Sequence, residues 1–210
     1  MIELYNYYRS SASFRVRIAL NLKGIPYKDI PVHLVNNGGE QHTVEYIKLN
    51  PHRLVPVLKD DDKIITQSLS IIEYLNETHP SPALLPDDSF DKAKVRSFSL
   101  AIAADLHPLN NLRVLTYLTK DLNLSEEQKN TWYQHWIHKE FSALEATLAT
   151  NNSDYCFGNT PGLADIVLVP QMYNARRFSC DTSQYPTLVR IDEHCQKHEA
   201  FKKAWPDQSK

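Results

Sequence analysis

The chain has 210 residues, enough for one large domain or two small ones, and its 42% hydrophobic content suffices for real cores. A formal net charge of −2 argues against nucleic-acid binding, no apolar run approaches a membrane span, and the polar opening MIELYNYYRS is not a signal peptide. Cys156, Cys180 and Cys195 are odd in number and form no C-x-x-C, which predicts free thiols in a reducing, cytoplasmic setting without a disulfide scaffold or structural zinc site.

In chain order, Ile2 to Tyr5 reads as a strand, and Ser13 to Lys23 as a helix with Phe14, Ile18 and Leu22 on one face and Gly24 as its stop. Tyr27 to Leu34 is a second strand, and a short helix spans His42 to Leu49 after Gly38-Gly39. Leu54–Leu58 and Ile64-Ile65, joined by Asp60-Asp61-Asp62-Lys63, alternate as a β-hairpin, and Gln67-Ser68 opens an amphipathic helix that ends near His79-Pro80. The order is βαβ, a short helix, then ββα. Three prolines and two aspartates in "PSPALLPDDSF" mark a domain boundary. Beyond it the pattern is helical over Phe90–Thr119, Ser125–Ala149, Leu163–Arg177 and Pro186–Lys197. A small α/β domain is thus followed by an all-helical one.

Several stretches carry chemistry. Ser10, Ser11 and Ser13 precede a helix and are flanked by Arg9, Arg15 and Arg17. Serines in such places are N-caps, accepting from unpaired backbone N–H groups. The same geometry also suits an anion such as a thiolate, because a helix N-terminus carries about half a positive charge. "LVPVL" is either a plain edge strand interrupted by proline or a segment whose Val55 N–H and C=O receive an extended peptide. Gln67 and Ser68 are again either a cap or a carboxylate seat. Together these features within residues 1–80 suggest a small, peptide-like anionic ligand. In the helical region, "DLHPLNNLRVL" clusters His107, Asn110, Asn111 and Arg113 around a helix-kinking Pro108, and "NARRF" offers Arg176 and Arg177. His194 and His198, with Cys195 between them, lack a third ligand, so no metal is expected.

With "RSSASFRVRIALNLKG", "LNPHRLVPVL", "QSLSIIEYL", "HPLNNLRVL" and "LADIVLVPQMYNARRF", the sequence resembles the zeta class of cytosolic glutathione transferases over essentially its whole length. The first stretch is specific to the class, whereas the Val-Pro and Gln-Ser elements belong to these transferases generally. The resemblance implies a thioredoxin-like, glutathione-binding domain over residues 1–80, a linker at 81–89 and an all-α substrate-binding domain over 90–210. It further implies a homodimer in the cytoplasm with glutathione as cofactor. The implied reaction is cis–trans isomerisation of maleylacetoacetate to fumarylacetoacetate by thiolate addition, bond rotation and elimination. Maleylpyruvate isomerisation, general transferase activity and α-haloacid dehalogenation are the alternatives. In this resemblance Ser10 or Ser11 meets the sulfur, the Val55 backbone pairs with the cysteinyl unit before a cis Pro56, and Gln67 and Ser68 take the γ-glutamyl carboxylate. Gln41, His107 and Asn111 match further glutathione contacts, while Arg9, Arg113 and Arg177 match the holders of a small dicarboxylate substrate.

Two positions depart from the class pattern. Ala12 replaces the usual cysteine after the serine pair, which disfavours disulfide exchange and leaves isomerisation to glutathione's own sulfur. Gly162 replaces the Ser or Thr cap of the helix that holds Asp165, a change of only about a few tenths of a kcal/mol. A non-catalytic binding module and a transferase using Tyr5 or Tyr7 are the rival readings, and the latter requires more tuning of a phenol whose pKa starts near 10.

Overall fold

A computed structural model describes residues 1–206. It divides into two units, residues 1–83 with the chain from His198 on, and residues 84–197. The division at residues 83 and 84 lies within the proline-rich Pro80–Phe90 stretch, and α10 (Glu199–Ala204) groups with the α/β unit.

The first unit is built on a four-stranded sheet ordered β2-β1-β3-β4, with β1 at Ile2–Asn6, β2 at Tyr27–Pro31, β3 at Val57–Asp60 and β4 at Lys63–Thr66. β1 runs parallel to β2 and antiparallel to β3, and β4 closes the hairpin. Alternation explains β1: Ile2, Leu4 and Asn6 are buried while Glu3 and Tyr5 are half-buried. Proline displaces one expectation. The strand read as Leu54–Leu58 begins only at Val57, after a cis Val55-Pro56 bond, and it lies inside the sheet rather than at an edge. Pro56 thus stands before the first ladder position, where its missing N–H is not needed.

Helix α1 spans Ser11–Leu22, two residues earlier than its apolar periodicity suggests, because the Ser10 side chain accepts from the Ser13 N–H at 3.2 Å and starts the helix there. It is buried almost continuously from Ser13 to Leu20. The cover comes from α3 (Ser68–Thr78) and α10 (Glu199–Ala204), both packed against α1. Arg17 Nε donates to the Ala204 carbonyl at 3.0 Å, Asn21 to the Ala200 carbonyl at 3.0 Å, and Phe14 meets Trp205 edge-on. Helix α2 (Val44–Leu49) is capped by Thr43 and follows a tight turn at Glu40–His42.

In the second unit the segment read as one helix over Phe90–Thr119 is broken. α4 (Ser89–Leu100) runs into a π-helical stretch at Ala101–Leu106, then a single turn α5 (His107–Leu109), then α6 (Leu112–Lys120). Pro108 has no N–H to continue the ladder, and the His107 N–H reaches back five residues to Ile102. The Asn111 side chain then accepts from the Arg113 N–H at 3.1 Å and starts α6 anew. α7 (Glu126–Thr147) begins with a reciprocal Ser125–Gln128 capping box. α8 (Leu163–Arg177) is the buried core helix, and α9 (Pro186–Cys195) ends two residues before the predicted stop. Among the described residues, no helix is long and apolar enough to cross a membrane.

Gly162 admits the Leu84 carbonyl, which would lie 3.1 Å from a Cβ there and accepts the Leu163 N–H at 2.8 Å. The buried Asp165 carboxylate then does the capping by accepting from the N–H groups of Gly162 (2.9 Å) and Cys156 (2.8 Å). Burial pushes this carboxyl above its ordinary range, and the two N–H groups pull it back. Asp165→Ala leaves two backbone donors without their acceptor and should cost about 2–4 kcal/mol, read as a lower urea midpoint at unchanged slope.

Candidate active site

The strand registers bring the sequence-singled residues of the first unit to one end of the sheet. Tyr5 lies opposite Val57, Val57 opposite Thr66, and Asn6 opposite Pro31. β1, β2 and β4 therefore finish, and β3 starts, at the same end. The segments just beyond carry Ser10 and Ser11 after β1, Gln41 after β2, Val55 before β3, and Gln67 and Ser68 after β4. Tyr7 and Val55 share an apolar cluster with Val32, Tyr46 and Val57, which fixes the loops to one another.

Each seat has its own local cause. Ser10 caps α1 through its oxygen, which leaves the hydroxyl hydrogen to donate elsewhere, and Ser11 is buried in the helix's first turn. The backbone of Val55 lies off the end of the interior strand, so any peptide pairing belongs to that segment and not to an open strand edge. Gln41 is buried, donates to the Leu34 carbonyl at 3.3 Å, and has no partner for its Oε1 among the described residues. Gly39, at φ +98°, makes room for it: a Cβ there would lie 2.5 Å from the Gln41 amide. Gln67 is exposed and held at φ +69°, a conformation uncommon outside glycine, and no side chain caps α3. Ser68, buried beside it, accepts from Arg15 Nη1 at 3.3 Å. Arg15 was visible in the sequence only as one of three flanking arginines. Its burial depends on α3 and was not legible there.

Of the rival tyrosines, Tyr5 directs its hydroxyl to Glu3 at 3.5 Å, back along its own strand, and Tyr7 packs edge-on against Tyr8 and His33. Arg9 is exposed with its guanidinium over the Tyr8 ring.

In the second unit, Tyr133 organises the other predicted residues. The buried Asn110 donates to the Tyr133 carbonyl at 3.1 Å, and Trp132 donates to the Leu109 carbonyl at 3.0 Å, which pins the His107–Asn111 turn to α7. The Tyr133 ring stacks on Phe178 with centroids 3.6 Å apart, and the Arg177 guanidinium lies over Phe178. His107 is half-buried, Asn111 caps α6 through its side-chain oxygen, and Arg113 is exposed in that helix's first turn. The two arginines of "NARRF" separate cleanly. Arg176 pairs with the buried Asp192, while Arg177 closes α8, where the helix dipole favours a cation.

His198 caps α10, and His194 packs on Tyr155. No group of three or more His, Cys, Asp or Glu among the described residues could hold a metal. The three cysteines are free and buried, and burial pushes the Cys180 thiol up to about 11.

Models of the glutathione S-transferase N-terminal and C-terminal domains match residues 4–83 and 114–199. A bacterial zeta-class glutathione S-transferase, a maleylpyruvate isomerase in its holo form, superposes with a TM-score of 0.94 at 44% identity, covering 97% of this chain and 96% of that one. This chain belongs to the zeta-class glutathione transferases. A probable maleylacetoacetate isomerase of Vibrio cholerae is 50% identical over 204 residues, 97% of this chain and 95% of its own. A maleylacetoacetate isomerase of Methylobacterium extorquens, solved with malonate and glutathione bound, has a TM-score of 0.92 at 35% identity, with 97% and 96% covered. The thioredoxin-like first unit and helical second unit expected from the sequence are those of the family.

This transferase's first-unit seats fit glutathione: a peptide-like anion would answer the orphaned Gln41 oxygen with a donor and the uncapped α3 terminus with a carboxylate. The capping role of Ser10 is separable from any role toward sulfur. Ser10→Ala should lower stability by about 1 kcal/mol in denaturant titration, the ordinary value of a lost serine cap.

Proposed function

We propose that this zeta-class transferase is a glutathione-dependent cis–trans isomerase of maleylacetoacetate, with maleylpyruvate as the alternative substrate. The observation that carries this reading is the sheet register, which delivers the serine pair, Val55 and the Gln67–Ser68 terminus to one end of the sheet. Relatives named as isomerases of those two substrates, similar over nearly the whole chain, support it. The homodimer and cytoplasmic location implied by the family belong to the same reading, and Phe90, 72% exposed on α4, is an apolar residue that a partner subunit would cover.

Bound glutathione supplies the nucleophilic sulfur whose reversible addition to the cis C=C lets that bond rotate. The protein's part is binding and electrostatics. Ser10 and Ser11 hold hydroxyls at the positive end of α1, where a thiolate is favoured over a thiol, and each pKa unit so gained corresponds to about 1.4 kcal/mol. Ala12 adds no thiol of its own. Gln67 and Ser68 seat the γ-glutamyl carboxylate, the Val55 segment pairs with the cysteinyl unit, and Gln41, His107 and Asn111 complete the hold. Arg9, Arg113 and Arg177 take the substrate's carboxylates. None of the three has an ion pair among the described residues, unlike Arg176, so their planar forks are open to a dianion. These local charges are needed because the chain's net charge of −2 does not attract one.

The test is ultraviolet loss of the cis-enone for maleylacetoacetate (or maleylacetone) and maleylpyruvate, with and without glutathione. Turnover strictly dependent on glutathione is expected, and the faster substrate identifies the natural one. Glutathione binding without turnover of either would move the reading to transferase or dehalogenase chemistry. In the same assay Arg177→Ala should raise KM about tenfold or more while glutathione affinity holds. The Ser10→Ala, Ser11→Ala double variant should raise the pH midpoint of bound-thiolate absorbance. An unchanged midpoint would leave both serines as caps.

A further inference from the structure

Arg15 presents an unusual balance. It is 1% exposed, among the largest fully buried side chains of the described residues, yet within those residues its guanidinium makes one hydrogen bond, from Nη1 to Ser68 Oγ at 3.3 Å. Nε and Nη2 are buried without partners among the described residues. Two residues on, the buried Arg17 is fully engaged, donating to the Ala204 carbonyl, the Asn6 side chain and the Tyr8 carbonyl. No carboxylate of the described residues pairs with Arg15. Burial alone lowers its pKa, to about 10, so it remains a cation at neutral pH. A buried charge without a counter-charge destabilises a fold, so the group has no evident structural reason to be charged.

Its one contact explains the arrangement. Ser68 is the first residue of α3, an eleven-residue helix with no side-chain cap, whose opening N–H groups have no intrahelical acceptor. By accepting from Arg15, the Ser68 oxygen turns its own hydrogen away from the guanidinium, ready to donate. We propose that Arg15 is a buried positioning residue: it orients the Ser68 hydroxyl and places a positive charge beneath a carboxylate bound at the α3 terminus. The bound carboxylate supplies the counter-charge the fold lacks, so affinity for the ligand and stability of the ligand-free protein are set against each other at this position. The inference rests on the reading that this terminus seats the γ-glutamyl carboxylate of glutathione.

The experiment compares wild type with Arg15→Met, using glutathione and 4-aminobutanoyl-Cys-Gly, which lacks only the α-carboxylate of the γ-glutamyl unit. Calorimetric Kd values and ligand-free melting temperatures are the readouts. Arg15→Met should melt at or above wild type without ligand, bind glutathione about 10- to 100-fold more weakly, and bind the analogue unchanged. Arg15→Lys keeps the charge without the fork, and its loss should be smaller and again confined to glutathione. Unchanged glutathione affinity in Arg15→Met overturns the proposal. So does an equal loss for both ligands with a lowered melt in either variant, or failure of Arg15→Met to fold, since each makes the guanidinium structural. Equal binding of the two ligands by wild type instead overturns the carboxylate seat itself.

Discussion

The Arg17 guanidinium holds the α/β unit to its own site. It bonds the end of β1 through Asn6, the loop that follows through the Tyr8 carbonyl, and α10 through the Ala204 carbonyl. That loop is only four residues long and leads straight to Ser10 and Ser11. Asn6 is held in turn by Asp29 from β2. The serine pair is thus placed by the sheet, by α1 and by the chain's last helix together. A site built on rigid elements loses less entropy when it binds than one carried on a free loop.

The arginines show how one residue type takes different parts according to its surroundings. Among the described residues, Arg17 is buried and satisfied, Arg15 buried and largely unsatisfied, Arg176 tied to Asp192, and Arg9, Arg113 and Arg177 exposed without ion pairs. In sequence the pairs "RVR" and "RR" look uniform. Alternation along α1 turns Arg15 towards α3 and Arg17 towards α10, and only the packed helices distinguish them.

The order of elements and the capping serines were legible from the sequence because each depends on local chemistry. The Ser125 start of α7 is a clear case, for its capping box lies wholly within four residues. Features set by distant chain were not legible. "LVPVL" looked like an edge strand because proline disfavours ladders, yet the strand starts three residues later, with Pro56 before it and β3 inside the sheet. The helix break at Asn110-Asn111 depends on a carbonyl of Tyr133 and on the ladder beyond Pro108. The roles proposed for Gln41, His107 and Asn111 come from resemblance and not from spacing. It did not point to Arg15, whose setting is visible only in three dimensions.

The α/β unit is discontinuous in the chain, since α10 lies beyond the helical unit in sequence yet packs on α1. During synthesis, Arg17 waits 187 residues for its partner Ala204, and Phe14 a similar span for Trp205. The helical unit, continuous from residue 84 to 197, has all its residues before that point. The α/β unit is therefore completed only after the helical unit has been made, and a chain stopped short of α10 leaves the apolar face of α1 open to chaperones or to aggregation.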